Sequence, residues 1–505
     1  MTLGIACPAR ALLVLFLAVP AAAQVDYKLA FEPGDTHWNV EARFPVHGEP
    51  TLDYWFQLWT PGAYHVALFA RFAEDVKATD DQGRELTVET PEESLYRVKL
   101  TPDVKEVVLR YRMRSASDGT LSNDVIDVEA NRIRDAYAYV NPPSVFGFVP
   151  SHIGEKVAVE LDLPDGWKCA TVLEQDERGR YVAPSYLRFE DSPFLFAPEL
   201  VEEHFDVDGK PHTLTVYGKS ADEAQAIAAG CQKIVAAASS LMQGLPYDRY
   251  EFLMAFVPEA SGSGLEHSFS TLILLSEQVE PEANEFWNIV AHEFYHLWCA
   301  ERIHVQGIQT PDFTQPFQTG TIWVNEGVTE YMTRHVLLHA GFQDQAELLT
   351  ALVGPMKAPP LGSWTQVSRD FGADDEGFMK VAMPFMFKMY GLGPRVILAL
   401  DLEMRRASGG ERGVVDFTRA LMKEYFEKDK GFGEEELPDI LTRVAGADMS
   451  AFYDKYIDGK EVPDPSKSLD VIGWSFENGK AAPLPAPSEA QQRAARDFFS
   501  ASGQP

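Results

Sequence analysis

Cysteine is scarce in this chain: four residues in 505. Cys7 lies in an N-terminal stretch that reads as cleaved, which leaves Cys169, Cys231 and Cys299. An odd count leaves at least one thiol free, and three thiols cannot staple a scaffold of this length. A single Cys169–Cys231 bridge stays open. Positive charge is also short. There are 44 Lys and Arg against 76 Asp and Glu, for a formal net charge of −32. That deficit argues against nucleic acid and against anionic membrane surfaces as partners. Beyond the N-terminus no apolar run approaches the roughly 20 residues that span a bilayer, so no stable membrane anchor is expected. Repeats of fixed period are lacking too, which argues against a solenoid or propeller.

What is present is an ordinary globular composition, 45% hydrophobic and 24% charged, in a chain long enough for two or three cores. Residues 1–23 have the parts of a secretory signal: Arg10, the apolar stretch 11–19 and the small residues Ala21-Ala22-Ala23. Cleavage there makes Gln24 the first residue and predicts a secreted or periplasmic protein. Cys7 does not sit at the cleavage site, so lipid attachment is not indicated.

Residues 24–216 read as a β-rich domain. Short alternating segments such as 106–112 and 157–163 are separated by turns at Pro33-Gly34-Asp35 and Pro164-Asp165-Gly166. The alternation predicts antiparallel sheets. Near Ala221 the texture changes to helical spacing. Two strand-like runs, 252–257 and 271–275, interrupt it around Ser261-Gly262-Ser263-Gly264. Helices are then expected at about 281–303, 320–340, 344–357, 385–408, 414–427 and 448–457. The catalytic part is placed at 217–465. Residues 466–505 read as a tail with one strand-like piece (471–476), a proline-spaced linker and a short final helix.

The chemistry concentrates in His292-Glu293-Phe294-Tyr295-His296. On an α-helix two residues four apart differ by about 40° of rotation, so both imidazoles face one metal ion. His-Glu-x-x-His is a zinc-site signature, with the intervening Glu293 as general base. Catalytic zinc sites usually carry a third protein ligand. Glu326, separated from His296 by 29 residues, sits on an expected second helix and is the best candidate. Glu301 points to the far side if the first helix continues through it. Glu330, one turn beyond Glu326, is placed to hydrogen-bond a ligand histidine. Cys299 falls on the metal-facing strip of a continuous helix. It reads either as a buried thiol or as an oxidation-sensitive one.

These motifs resemble the glycyl-aminopeptidase-type family of gluzincin metallopeptidases. The likeness runs over His292-Glu293-Phe294-Tyr295-His296-Leu297-Trp298, Glu326-Gly327-Val328-Thr329-Glu330-Tyr331, Gly264-Leu265-Glu266-His267 and Trp59-Thr60-Pro61-Gly62-Ala63-Tyr64. The resemblance implies an α+β chain, with an N-terminal antiparallel β domain followed by a thermolysin-like, mainly helical catalytic domain. It implies one Zn²⁺ per chain held by His292, His296 and Glu326. A peptide with a free N-terminus is then the substrate, opened by a water activated at the metal. Gly264 and Glu266 are expected to bind substrate, with Glu266 on the α-ammonium; a solvent-facing turn is the other reading of Glu266. Tyr390 is the expected oxyanion donor, although Tyr390-Gly391-Leu392-Gly393 departs from the family's Tyr-Glu-Lys-Gly, and a packed core tyrosine is the alternative. Many family members end in a PDZ domain, and the roughly 40 residues after 465 are too few for one. Two other readings stay in view: a zinc endopeptidase, and a non-catalytic peptide-binding protein on the same scaffold. Oligomeric state is not legible.

Overall fold

The computed structural model describes residues 24–115, 127–258, 260, 262–280, 284–354, 362–373 and 384–500. The expected signal segment lies outside them. Among the described residues no helix is long and apolar enough to cross a membrane.

The N-terminal domain is built from sheets of eight, four and three strands around one apolar core. Strand His37–Pro45 shows why. Trp38, Val40, Ala42 and Phe44 alternate inward while their neighbours face outward, the two-residue period of a half-buried strand. The large sheet is mostly antiparallel. It departs from the expected pattern where Gln24–Ala30 runs parallel to Lys156–Asp162. More than a hundred intervening residues supply the long crossover that parallel pairing requires.

The catalytic domain begins earlier than the sequence suggested. Its five-stranded sheet runs in the order Val201–Val207, Lys210–Tyr217, Tyr250–Val257, Ser270–Ser276, Ser263–Glu266. The boundary therefore falls near residue 200 instead of 216. The hairpin 201–217 alternates in burial like the strands before it, and only its parallel pairing with Tyr250–Val257 assigns it to the second domain. Helix Ala221–Met242 makes that crossover, opened by a capping box between Ser220 and Glu223. Strand Ser263–Glu266 is the edge. It pairs antiparallel with Ser270–Ser276, with Gly264 opposite Ile273 and Glu266 opposite Thr271.

Helix Asn284–Tyr295 carries the motif as far as Tyr295 and stops there, eight residues short of the expected end, with the His296 N–H still donating to the His292 carbonyl. The chain then turns, with Ala300 at φ +151° and Ile303 N–H donating to the Trp298 carbonyl. Glu326 follows on a wide π-type turn, Trp323–Gly327, which leads into helix Val328–His339. Two helices are unforeseen in the sequence: Trp364–Ala373 packs on the turn Trp323–Gly327, and Leu437–Ala445 packs on helices Gly393–Ser408 and Val414–Glu424.

The C-terminal segment is not an extended tail. A 3₁₀ segment, Pro465–Ile472, a hairpin of Trp474–Glu477 with Lys480–Pro483, and helix Glu489–Ser500 lie on the catalytic domain. Leu469, Ile472, Trp474, Phe498 and Phe499 enter its core. The proline spacing does describe the few residues joining hairpin to helix, but the flanking apolar side chains hold both ends down.

Candidate active site

The helix places His292 and His296 with their ring centres 4.6 Å apart. Each ring is oriented from behind. His292 Nδ1–H donates to Glu330 Oε2 at 3.0 Å, and Arg334 Nη2 donates to the other Glu330 oxygen at 2.8 Å. His296 Nδ1–H donates to the carbonyl of Cys299 at 2.8 Å. With both Nδ1 atoms as donors, both Nε2 lone pairs face inward, 2.9 Å apart. Glu326 Oε2 lies 3.5 Å from each of them, and no donor reaches it among the described residues.

Three buried acceptor atoms facing one another are unfavourable unless a cation sits between them. Zinc–ligand bonds of about 2.0–2.1 Å at tetrahedral angles put ligand atoms roughly 3.4 Å apart. The separations of 2.9, 3.5 and 3.5 Å are close to that triangle. The residue set therefore fits a zinc ion. Burial lowers the His292 pKa, but Glu326 and Glu330 outweigh it and raise the group well above its usual range. Glu326 is held below the carboxylate range by His296 and His292, against the upward push of burial.

Glu293 is buried beside this triangle. Burial pushes its carboxyl up to about 7, and His292 and His296 limit the rise. Its side chain is confined by the edge strand: a Cβ on Gly264 would lie 2.3 Å from Glu293 Cγ. Gly264, expected as a substrate contact, thus sits against the Glu293 side chain.

Glu266, at the end of that strand, is 5% exposed and does not face solvent. One carboxylate oxygen, 3.8 Å from His296 Nδ1, has no hydrogen-bond partner among the described residues. The N-terminal domain closes over it. Gly62, at φ +84°, lies so near that a Cβ would stand 3.0 Å from the Glu266 carboxylate. Two residues on, Tyr64 takes φ +60° and its hydroxyl accepts from Asn325 Nδ2 at 2.6 Å. Burial, with the charges of Glu266 and Glu326, drives that hydroxyl pKa well up. Among the described residues, Tyr64 is the only one before residue 200 in the catalytic core.

Tyr390 stands on a second wide π-type turn, Phe387–Leu392, with its ring centre 5.5 Å from that of His292. Burial and the adjacent Glu326 carboxylate raise its hydroxyl pKa. Such wide turns recur at functional sites because they re-aim a side chain.

Glu301 and Cys299 need correction, because the helix that placed them ends at Tyr295. Glu301 is not on the far side of a helix. It turns back into a cavity next to Glu266 and accepts from Ser268 Oγ. The Cys299 thiol is buried, and burial pushes its pKa far above the usual range, which disfavours the thiolate. Its carbonyl is what positions His296. Cys169, Cys231 and Cys299 are all free, so the Cys169–Cys231 bridge does not form. No residue type signals the Cys299 carbonyl, since any residue supplies one. Tyr64 was signalled by its turn motif, though not as a residue of this cleft.

The fold and site together define the class: a two-domain metallopeptidase-type chain. Two family models then match it, the peptidase M61 N-terminal domain over residues 26–198 and the M61 glycyl aminopeptidase over residues 285–359. The resemblance to that family thus holds for both domains. Among solved structures, an aminopeptidase N family protein from Idiomarina loihiensis aligns with TM-score 0.78 at 20% identity, covering 90% of this chain and 79% of the other. An M1 zinc metallopeptidase from Deinococcus radiodurans aligns with TM-score 0.54 at 10% identity, over 88% and 95%. A mutant of it, bound to a Tyr-Ser-Ala substrate, gives TM-score 0.54 at 12% identity, over 88% and 95%. At these identities the likeness concerns fold alone. No curated protein matches the chain. Family match and fold support a peptidase of the metallopeptidase type.

Proposed function

We propose that this protein is a secreted or periplasmic zinc aminopeptidase that removes N-terminal residues from peptides. His292, His296 and Glu326 would hold one zinc ion, which when bound supplies a Lewis acid and a lowered pKa for water. Glu293 takes the proton of the attacking water on its carboxylate and hands it to the departing amine nitrogen. A carboxyl pKa near 7 suits both halves of that transfer. The Tyr390 hydroxyl donates to the carbonyl oxygen as negative charge grows there; one such donor is worth about 3–4 kcal/mol where it has been measured. The free side of strand Ser263–Glu266 can pair with the substrate backbone, and Glu266 accepts from its α-ammonium.

One observation carries the choice of aminopeptidase over endopeptidase. Glu266 keeps an unpartnered carboxylate oxygen in a cleft that Gly62 and Tyr64 close on the same side. A buried carboxylate is costly unless a cation joins it. A chain extending past that point would meet the N-terminal domain. Substrate bound to a structural neighbour, Tyr-Ser-Ala, agrees with a peptide as the substrate class. The test compares aminoacyl arylamides with N-acetylated peptides, using wild type and Glu266→Ala. Wild type should cleave only free N-termini, and Glu266→Ala should lose most of that activity. Equal cleavage of blocked peptides would make the protein an endopeptidase, and no cleavage by zinc-loaded protein would favour a binding role.

A further inference from the structure

The turn Trp59-Thr60-Pro61-Gly62-Ala63-Tyr64 belongs to the N-terminal domain and contributes no reacting group to the proposed hydrolysis. It is nevertheless clamped to the catalytic domain at both ends. Trp59 Nε1 donates to the Asp312 carbonyl at 3.0 Å, and the indole stacks on Phe317 with ring centres 4.5 Å apart. Tyr64, 1% exposed, enters the catalytic core. Its backbone is left-handed, at φ +60°. For a bulky side chain that conformation is strained, and it persists only where the surroundings over-determine it. Here they do. The Tyr64 N–H donates back to the Thr60 carbonyl at 3.1 Å. The next residue, His65, donates from Nε2 to Glu129 Oε2 at 2.7 Å, with both side chains buried, and its ring meets the edge of Phe371. Gly372 comes so near from helix Trp364–Ala373 that a Cβ there would stand 3.3 Å from the Tyr64 carbonyl oxygen.

What this strained residue holds in place is one hydroxyl. Asn325 Nδ2 donates to it at 2.6 Å, and among the described residues that is the only hydrogen bond of the Asn325 side chain. Asn325 is 2% exposed, and its Oδ1 has no partner there. A buried amide held by a single bond depends on it. Taking the acceptor away leaves both ends unsatisfied, so the side chain must turn or carry its backbone with it. That backbone is the wide turn Trp323–Gly327, in which Glu326 follows Asn325 directly. The turn presents Glu326 Oε2 at 3.5 Å from each of the two inward ring nitrogens of His292 and His296. A chain of contacts thus runs from the buried Glu129–His65 pair, through the Tyr64 backbone and hydroxyl, to the residue beside the third ligand atom.

We infer that Tyr64 is a positioning residue for the metal site: through Asn325 it fixes the turn that presents Glu326, so a residue of the N-terminal domain sets the place of the third ligand. This rests on the reading of His292, His296 and Glu326 as a zinc site. The test loads wild type, Tyr64→Phe and Asn325→Ala with cobalt(II) in place of zinc and records the visible spectrum, which reports ligand geometry. Zinc affinity is measured on the same proteins in competition with a chelator. Tyr64→Phe keeps the ring and removes the hydroxyl alone. It should weaken zinc binding by about tenfold, shift the cobalt bands, and lower kcat about tenfold with KM within about twofold of wild type. Added to Asn325→Ala it should change the affinity by less than about twofold, because its partner is already gone. Tyr54→Phe serves as the control. It removes another buried hydroxyl of the N-terminal domain, one bonded to the Gly147 N–H and to Tyr111, and should lower the melting temperature with spectrum and affinity unchanged. A wild-type spectrum and affinity in Tyr64→Phe, additive losses in the double variant, or the same cobalt shift in Tyr54→Phe would overturn the inference and leave the zinc site standing. Failure of wild type to bind zinc or cobalt in a form that His292→Ala abolishes would instead overturn the zinc reading, and the inference with it.

Discussion

Replacing Gly264 by alanine perturbs the proposed base without touching it chemically. The new Cβ would stand 2.3 Å from Glu293 Cγ, 2.4 Å from Cδ and 2.6 Å from Oε1. Comfortable contact between such atoms is about 3.5–4.0 Å, so the Glu293 side chain must move by more than about 1 Å. It has little room, because it is 7% exposed and flanked by His292 and His296. Gly264 is an ordinary strand residue with no positive φ, so alanine itself costs the backbone nothing. A displacement of that size at a reacting group costs about 10²-fold in rate, and full loss of a general base costs 10²–10⁴-fold. The assay is kcat on an aminoacyl arylamide, with a thermal melt and zinc content measured on the same sample. We expect kcat to fall about 10²-fold with melting and zinc content unchanged. In the Glu293→Gln background, Gly264→Ala should add little, since the group it displaces is already inactive. Activity within about twofold of wild type, or additive losses in the double variant, would refute the reasoning.

Removing the carboxylate behind His292 by Glu330→Gln should weaken zinc affinity by about 10–100-fold in competition with a chelator; an unchanged affinity contradicts the orienting role. Glu251 predicts a pH effect. Burial pushes its carboxyl from an ordinary 4.5 up to about 7. The folded state therefore holds a proton that the unfolded state has lost between those values, and stability falls as pH rises through that window. Glu251→Gln should accordingly stabilise by up to about 3 kcal/mol above pH 7 and by little at pH 4, read from unfolding midpoints. No pH dependence in that difference would contradict it. Arg405, 2% exposed, joins Asp401 to Asp497 of the last helix. Arg405→Met should cost about 3–5 kcal/mol in chemical denaturation by leaving Asp401 buried without its partner, and a cost under about 1 kcal/mol would mean that the C-terminal helix is held by its apolar face alone.

The metal set was legible because its geometry is local. Four residues of helical spacing bring His292 and His296 together whatever the rest of the chain does. Glu326 lies on a separate element and was reached through the two-His, one-Glu pattern of the resemblance; Glu330 followed from it, being one turn further on. What escaped depends on tertiary pairing. Strands 201–217 alternate like those of the β domain, and only the register with Tyr250–Val257 assigns them. The end of the motif helix at Tyr295 carries no proline or glycine, so periodicity ran on to 303 and misplaced Cys299 and Glu301. A backbone carbonyl that orients His296 has no residue-type signature at all. Gly264 read as a substrate contact because the steric demand of Glu293 arises across two elements distant in sequence. The C-terminal strand and helix were legible from their own patterns; what the proline spacing hid was their docking, although Trp474, Phe498 and Phe499 are the kind of anchors that dock such a segment.

The central claim is that a zinc site beside an ammonium-binding carboxylate makes this chain cut one residue from free N-termini. The most direct measurement is the cleavage rate of one peptide with a free and with an acetylated N-terminus, by zinc-loaded protein. Acetylation removes the charge that Glu266 would accept and leaves that carboxylate buried unpaired, so the rate should fall by about 10²-fold or more. Equal rates for the two peptides would contradict the account.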